Sequence, residues 1–388
     1  MSVWRETTLG QVCELKRGYD LPTASREPGE VPIVSSSGIT GYHAVAKVSG
    51  PGVVTGRYGT LGEVYYVTGD FWPLNTSLYV RDFKGNEPRF VAALLKSLNL
   101  GRNESAAAVP GINRNHLHML AVRCPDLATQ RAVSHILASI DRLIENNAQR
   151  MTVLEELAKA IFREWFVEFR YPGHQRVPLV QSAEGISPQG WGVVAASDAL
   201  HVGPSVRVSE GTQRRVFTMG DLSEEVSTCF PSATRTGNAG TKFQNGDTLF
   251  ARITPCLENG KTGYVQGLAP DETALGSTEF IVLRGRKVGS SFTYLLARNE
   301  EFRRRAIQSM SGASGRQRVR VECFDSFMVA IPPPEIAAQF ELAAGRFLAL
   351  QFALASQAKL LAATRDLLLP RLVSGRLDIS KLEWLEAS

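Results

Sequence analysis

The sequence predicts an α+β fold: two similar globular domains joined by two long coiled-coil helices that pair with each other, the whole an internal pseudo-twofold repeat. Three observations predict it. The two halves of the chain run through one order of motifs, and each half ends in a long heptad pattern. The two patterns also sit at nearly one offset, Gln130 and Gln339 being 209 positions apart and Arg163 and Arg371 208. Near-equal offsets at both ends mean that the stretch between them is one element used twice.

Composition sets the outer limits. A chain of 388 residues has length for two or three domains, and 44% hydrophobic residues is too many for a disordered one. The balance of 43 Lys+Arg against 38 Asp+Glu leaves +5, too mild alone to name a polyanionic partner. Five scattered cysteines without a C-x-x-C pair fit neither a disulfide framework nor a zinc ribbon. Met-Ser-Val-Trp-Arg-Glu is no basic start to an apolar run, and Gln, Lys or Arg breaks every longer apolar stretch. A cytoplasmic protein without signal peptide or membrane span is expected.

Each half opens on a tryptophan, Trp4 before Thr8-Leu9-Gly10 and Trp191 before Ala199-Leu200. Gly-rich strand-and-turn sequence follows, Gly56-Arg57-Tyr58-Gly59-Thr60-Leu61-Gly62 in one half and Gly246-Asp247-Thr248-Leu249-Phe250-Ala251-Arg252-Ile253 in the other. A polar step inside β-rich sequence comes next, with Leu74-Asn75-Thr76-Ser77 set against Gly276-Ser277-Thr278-Glu279. Short helices are expected at Pro88 to Leu98 and at Phe292 to Ala306. An apolar strand then leads into proline, at Pro125 and at Pro332. In the first long helix Val133, Ile140, Asn147, Leu154 and Ile161 recur every seven residues, interleaved with Leu137, Ile144, Met151, Ala158 and Trp165. In the second, Phe340, Phe347, Leu354, Leu361 and Leu368 do the same. Prolines start both helices, Tyr171-Pro172-Gly173 stops the first, and the second ends near Pro370. The expected boundaries are therefore 1–124 for the first domain, 125–170 for its helix and 171–189 for a linker. The second half follows with 190–331 for the domain, 332–376 for the helix and 377–388 for a tail.

Catalytic patterns are missing. Asn259-Gly260-Lys261-Thr262 ends like a phosphate-binding loop, but Pro255 stands where the first glycine is needed, so a turn between strands is expected. There is no Asn-Pro-Pro-Tyr or Asp-Pro-Pro-Tyr, no metal spacing among the histidines and no nucleophile elbow. His116 and His118 share one face of an expected strand, an arrangement more often structural than metal-binding. Neither catalysis nor a cofactor is expected. Cationic sequence stands out instead. From Phe302 to Val321 six arginines, Arg303, Arg304, Arg305, Arg316, Arg318 and Arg320, occur without an acid, around a Ser-Gly-rich loop from Ser309 to Gly315. Such a loop lets backbone approach a polyanion while arginines pair phosphates or read guanine edges. Arg303 to Arg305 read equally well as a solvated helix face, whereas the alternation of Arg316, Arg318 and Arg320 suggests one face of a strand. The corresponding place in the first half is Pro110-Gly111-Ile112-Asn113-Arg114-Asn115-His116.

With these motifs the chain resembles the DNA-specificity subunits of type I restriction-modification systems. The resemblance rests on the Trp4 to Gly18 opening, on Gly246 to Ile253, and on the strand-Pro-x-x-x-x-Gln steps at Pro125 to Gln130 and Pro334 to Gln339. Two helix ends complete it, Leu157 to Val167 and Leu367 to Gly375. It implies that each globular half is a target recognition domain reading one part of a split sequence in double-stranded DNA, with the long helices as spacer. It further implies a non-catalytic subunit without cofactor, on which two methyltransferase subunits and a restriction endonuclease/translocase subunit assemble away from any membrane. The candidate DNA contacts are Arg57, Tyr58, Asn75, Thr76, Asn113, Arg114, Asn115 and His116 in the first half. In the second half they are Arg252, Thr254, Lys261, Ser277, Ser314, Arg316, Gln317, Arg318 and Arg320. Asn147, Leu154, Phe162, Trp165, Phe166, Phe347, Leu354 and Leu361 are the candidates for spacer pairing and partner docking. Antiparallel pairing puts Asn147 opposite Leu354 to Gln357, where Ser356 or Gln357 can bond an amide that fixes register; the alternative is an Asn147 turned to water. A free-standing nucleic-acid-binding regulator is the competing reading, but it has no need of two long paired helices.

Overall fold

The computed structural model describes residues 4–100, 113–182, 185–208, 211–313 and 315–379. The chain divides into two compact units, Met1–Ile144 with Leu360–Ser388, and Glu145–Lys359. Both long helices pass through both units; the first unit is built from two separate stretches of chain and the second from one.

In the first unit β1 (Arg5–Thr8) leads into a one-turn α1 (Leu9–Val12). The strands β2 (Glu14–Arg17), β3 (Val31–Ser35), β4 (Gly38–His43), β5 (Gly52–Gly56), β6 (Val64–Val67), β7 (Trp72–Pro73) and β8 (Ser77–Asp82) follow. They form a four-stranded sheet in the order β2-β8-β5-β6 and a three-stranded sheet β4-β3-β7. Central β5, Gly-Val-Val-Thr-Gly, is buried throughout, as β-branched residues between two neighbours should be. Gly52 is glycine because a Cβ there would meet the Phe71 ring at 2.1 Å. Helix α2 (Pro88–Ser97) starts on a proline and is capped by Glu87, whose carboxylate accepts from Phe90 N at 2.6 Å. It buries Phe90, Val91, Leu94 and Leu95 in this unit's core. After α3 (Arg114–His118), β9 (Ala121–Cys124) pairs antiparallel with β1 and delivers the chain to α4 (Leu127–Phe166).

The second unit repeats this plan. After a hairpin of β10 (Leu179–Ser182) and β11 (Gly185–Pro188) come β12 (Gly192–Ala195), α5 (Ala196–Ala199), β13 (Leu200–Val202), β14 (Gln213–Phe217), β15 (Ala233–Thr236) and β16 (Thr241–Phe243). They are followed by β17 (Thr248–Ala251), β18 (Thr262–Tyr264), β19 (Ala274–Gly276) and β20 (Phe280–Gly285), then by α6 (Ser290–Arg298), α7 (Glu300–Gln308), β21 (Met328–Ile331) and α8 (Pro334–Val373). The order β13-β20-β17-β18 matches β2-β8-β5-β6, and the β12–β21 ribbon matches β1–β9. The second sheet is β15-β14-β19-β16; its β14–β19 pair is parallel, as is β3–β7.

Long-helix pairing is antiparallel within each unit. In the first, Arg365 Nη1 donates to Asp141 Oδ1 at 2.8 Å. In the second, Asn147 Nδ2 donates to Gln357 Oε1 at 2.9 Å and Gln351 Nε2 to Glu155 Oε2 at 3.2 Å, so numbers rise on one helix as they fall on the other. Every heptad position of α4 from Val133 to Trp165 is buried or half-buried, and Asn147 is only 4% exposed. Its amide therefore does not face water. Helix α8 is apolar enough over 18 residues, at mean hydropathy 1.3, to match a membrane span by length and composition. A run of its residues, Phe340, Ala344, Leu348 and Gln351, is instead buried within the second unit.

Several sequence expectations change. The segment 171–189 carries the β10–β11 hairpin. The single helix expected from Phe292 to Ala306 is two, because Asn299 leaves helical geometry (ψ 133°) and caps α7, its side chain accepting from Glu301 N and Phe302 N. His116 and His118 lie on helix α3. The stretch from Arg316 to Arg320 is extended chain with isolated bridges, without becoming a regular strand. The polar steps align one residue differently, since Arg57 N donates to Thr76 O and Arg252 N to Glu279 O, making Thr76 the counterpart of Glu279.

Candidate nucleic-acid interface

In the second unit the turn after β17 is gripped by extended chain. Val319 N donates to Arg252 O at 2.9 Å, Thr254 N to Gln317 O at 3.2 Å, and Ser311 and Arg318 exchange both backbone bonds at 3.1 and 3.0 Å. Val319, 1% exposed, anchors this segment, so the alternating Arg318 and Arg320 turn outward, as does Arg316. Arg318 is held by a residue the sequence reading did not select. Its Nε and Nη2 donate to both oxygens of Glu279, at 2.9 and 2.5 Å. This fork keeps the Glu279 carboxyl below its ordinary value against the opposing effect of burial. Ser277 shapes that turn, its hydroxyl accepting from Glu279 N at 3.1 Å. Arg320 Nε donates to Ser311 Oγ at 2.8 Å. Half-buried Arg252 donates from Nη2 to Val319 O at 3.3 Å, while its Nε and Thr254 Oγ1 are buried without partners among the described residues. Ser314 lies outside the described residues. Lys261 is half-buried, and its ammonium donates to Met219 O at 3.1 Å, which closes the turn.

The matching edge of the first unit carries Arg57, stacked on the Tyr58 ring at 4.5 Å. Arg57 N and Tyr58 N donate to Thr76 O at 2.9 and 3.2 Å. Asn75 donates to Asp20, which also sits 3.9 Å from Arg17. Next to it is an aromatic and cationic cluster that sequence reasoning missed. Lys47 Nζ lies 5.4 Å from the Tyr19 ring and 5.6 Å from Trp72, and Lys16 Nζ donates to Tyr19 OH at 3.3 Å. The Tyr19 and Tyr79 hydroxyls share a 3.0 Å hydrogen bond. That bond first, and then Lys16 and Lys47, lower the Tyr19 pKa, whereas burial raises that of Tyr79. Lys47 and Trp72 are 25 positions apart, a separation no motif would join.

Arg114 to His116 lie on helix α3, which is anchored to β2 through His118. His118 Nε2 accepts from Leu15 N at 2.9 Å, and Leu15 pairs with Val80, four strand residues, or about 13 Å, from Thr76. Burial and the neighbouring Arg114 charge lower the His118 pKa, which favours this acceptor role. Asn113 is a helix cap, accepting from Asn115 N at 2.9 Å, while Arg114, Asn115 and His116 remain exposed. By chain order the counterpart of the Arg316 to Arg320 segment falls in 101–112, outside the described residues.

The aromatic docking candidates are also corrected. Phe162, Trp165 and Phe166 are buried in the second unit's core, where Phe166 packs 4.7 Å from Phe292, 4.6 Å from Phe340 and 5.8 Å from Trp191. Leu354 is buried, and Leu154, Phe347 and Leu361 are half-buried. The large exposed apolar side chains of the long helices are Leu127, Leu143, Val153 and Leu157 on α4 and Leu342, Leu350, Leu360 and Leu367 on α8.

Residues 1–156 match the family model described as the type I restriction modification DNA specificity domain. The specificity subunit of the type I restriction enzyme EcoEI of Escherichia coli is 26% identical over 156 residues, 38% of this chain and 26% of that protein. The EcoAI specificity subunit of Escherichia coli is 29% identical over 155 residues, with the same shares. The chain thus aligns with about a quarter of the length of these curated relatives. A crystal structure of a type I restriction-modification system S subunit from M. genitalium has the same α+β fold at a TM-score of 0.59. Its identity is 14%, covering 98% of this chain and 97% of that one.

Proposed function

We propose, from a first 156 residues that match the family model described as the type I restriction modification DNA specificity domain, that this chain is the non-catalytic, DNA-binding specificity subunit of a cytoplasmic type I restriction-modification complex. Each unit reads one part of a bipartite sequence in double-stranded DNA. Two methyltransferase subunits and an endonuclease/translocase subunit dock on the chain, with the exposed leucines of α8 and the apolar side chains of α4 as the docking surface.

The observation that carries this reading is the repeated arginine. Arg57 and Arg252 follow the same central strand of the same four-stranded order, and each donates its backbone N–H to the same position of the neighbouring turn, at 2.9 and 3.0 Å. Two units built alike, each with cations at one sheet edge, suit a ligand with two separated anionic half-sites. The chemistry follows from the side chains. Lys16, Lys47 and Arg320 neutralise phosphates, which gives affinity without sequence preference. A guanidinium fixed in its plane, as Arg318 is by Glu279, presents its remaining N–H groups to guanine O6 and N7.

The test compares the chain alone with the chain co-expressed with a methyltransferase subunit carrying Asn-Pro-Pro-Tyr or Asp-Pro-Pro-Tyr, in duplex binding across a salt series and in methyl transfer. The chain alone should bind duplex weakly, losing about one counterion per phosphate contact as salt rises. The complex should bind one sequence tightly and methylate it. Methyl transfer or cleavage by the purified chain alone overturns the proposal.

A further inference from the structure

The second unit contains a buried ionic network that ties the turn carrying Arg252 to the long helices. Glu155, on α4, is fully buried. Its Oε1 accepts from Tyr294 OH at 2.7 Å and lies 3.2 Å from Arg298 Nε, and its Oε2 accepts from Gln351 Nε2 of α8 at 3.2 Å. Gln351 Oε1 in turn accepts from Ser227 Oγ at 2.8 Å. Arg298, only 5% exposed, donates its other two nitrogens to backbone, Nη1 to Gly260 O and Nη2 to Glu224 O, both at 2.9 Å. Gly260 closes the turn from Arg252 to Lys261. Gly260 sits at φ +85°, a conformation that favours glycine.

A buried ion pair is a poor source of stability, since apolar residues of similar volume fill such a place as well or better. What the pair does provide is direction: a guanidinium fork fixed at one end by a carboxylate on the helix and at the other by two loop carbonyls. Among the described residues the equivalent places in the first unit hold no such device. Counting from the equivalent caps Glu87 and Gly289, Phe90 corresponds to Phe292, Ala92 to Tyr294 and Lys96 to Arg298. Ala92 has no hydroxyl, and Lys96 is exposed.

We infer that Glu155 is a positioning residue for one recognition surface only: through Arg298 it clamps the Arg252–Lys261 turn to the long helices, so that Arg252 and Thr254 meet the half-site of the second unit in fixed register. The inference rests on the proposed function for its DNA consequence, while the clamp itself stands on geometry and is tested apart from DNA.

The experiment uses the full chain in two variants. Glu155→Gln keeps the shape and removes the charge. Because that leaves Arg298 buried without its counter-ion and can prevent folding, the second variant is the apolar replacement Glu155→Leu/Tyr294→Phe/Arg298→Met, which removes the whole pair. Amide hydrogen exchange of the peptide 252–262 should accelerate by roughly tenfold or more in a folded variant, with β20 amides unchanged. In complex with the methyltransferase subunit, affinity for the half-site that Arg318→Ala damages should fall on the order of tenfold. Discrimination at the other half-site should stay intact. Unchanged exchange in the folded apolar variant overturns the clamp. Faster exchange with equal loss at both half-sites overturns the positioning role. If the wild-type complex binds no duplex DNA, the functional reading fails, and the exchange result still decides the clamp.

Discussion

Arg318 and Glu279 carry the most specific chemistry of the recognition surface. Glu279→Gln removes the charge from a fork that uses both carboxylate oxygens, so Arg318 should lose its fixed plane without leaving the surface. Base discrimination at one position of the second unit's half-site should relax by about 1–3 kcal/mol, as it should for Arg318→Ala. Lys47→Ala should instead weaken all sequences alike and lower the salt slope by about one. Competition binding against single-base variants of the site separates the two patterns; a uniform loss in Glu279→Gln contradicts the orienting role. The arginine alternation was legible because Val319 between Arg318 and Arg320 is the kind of residue a core takes in. Glu279 was not, lying 39 positions away and joined to Arg318 only by the fold. The bond from Lys261 to Met219 O was hidden for a related reason: a side chain's type says nothing of whether a backbone carbonyl will claim it.

The long helices were the most legible elements, since a seven-residue period persists whatever the surrounding domain does. The same apolar pattern hid the fate of their aromatic ends, because a Phe162 in a core and one on a docking face read alike in sequence. The β10–β11 hairpin was obscured by prolines that mark turns and linkers equally well, and the α6–α7 break by an Asn299 whose capping role needs its geometry. Asn147 tests the pairing. Its partner Gln357 is exposed and can turn to water, so Asn147→Leu exchanges a buried amide for packing at little cost to the partner. The melting temperature should rise by a few degrees, for a gain of about 1–2 kcal/mol, while cysteine cross-linking between the helices loses its preference for one register. A lower melting temperature would mean that the amide pair stabilises the helices more than a leucine can.

At the scale of the molecule, the repeat was legible from offsets alone, but not that each unit draws on both long helices, because sequence order cannot tell which half of a helix packs with which domain. The lengths of those helices carry a prediction about spacing. Removing Ile140–Asn146 together with Ala358–Thr364 takes one heptad from each helix, keeps Asn147 and Gln357 in phase, and shortens the pair by about 10 Å. The preferred gap between half-sites should shrink by about three base pairs at roughly 3.4 Å each, with some loss of affinity as the units turn about 100° around the duplex. A variant that folds, keeps its partners and retains the original gap would show that the helices do not set it. The central claim, one half-site per unit, is tested most directly by selecting bound duplexes from a random library with the chain in its methyltransferase complex, as wild type and as Arg57→Ala and Arg318→Ala. The account predicts two blocks of specified bases at a fixed separation, one block degraded by Arg57→Ala and the other by Arg318→Ala. A single contiguous block, or both blocks degraded by either substitution, would contradict it.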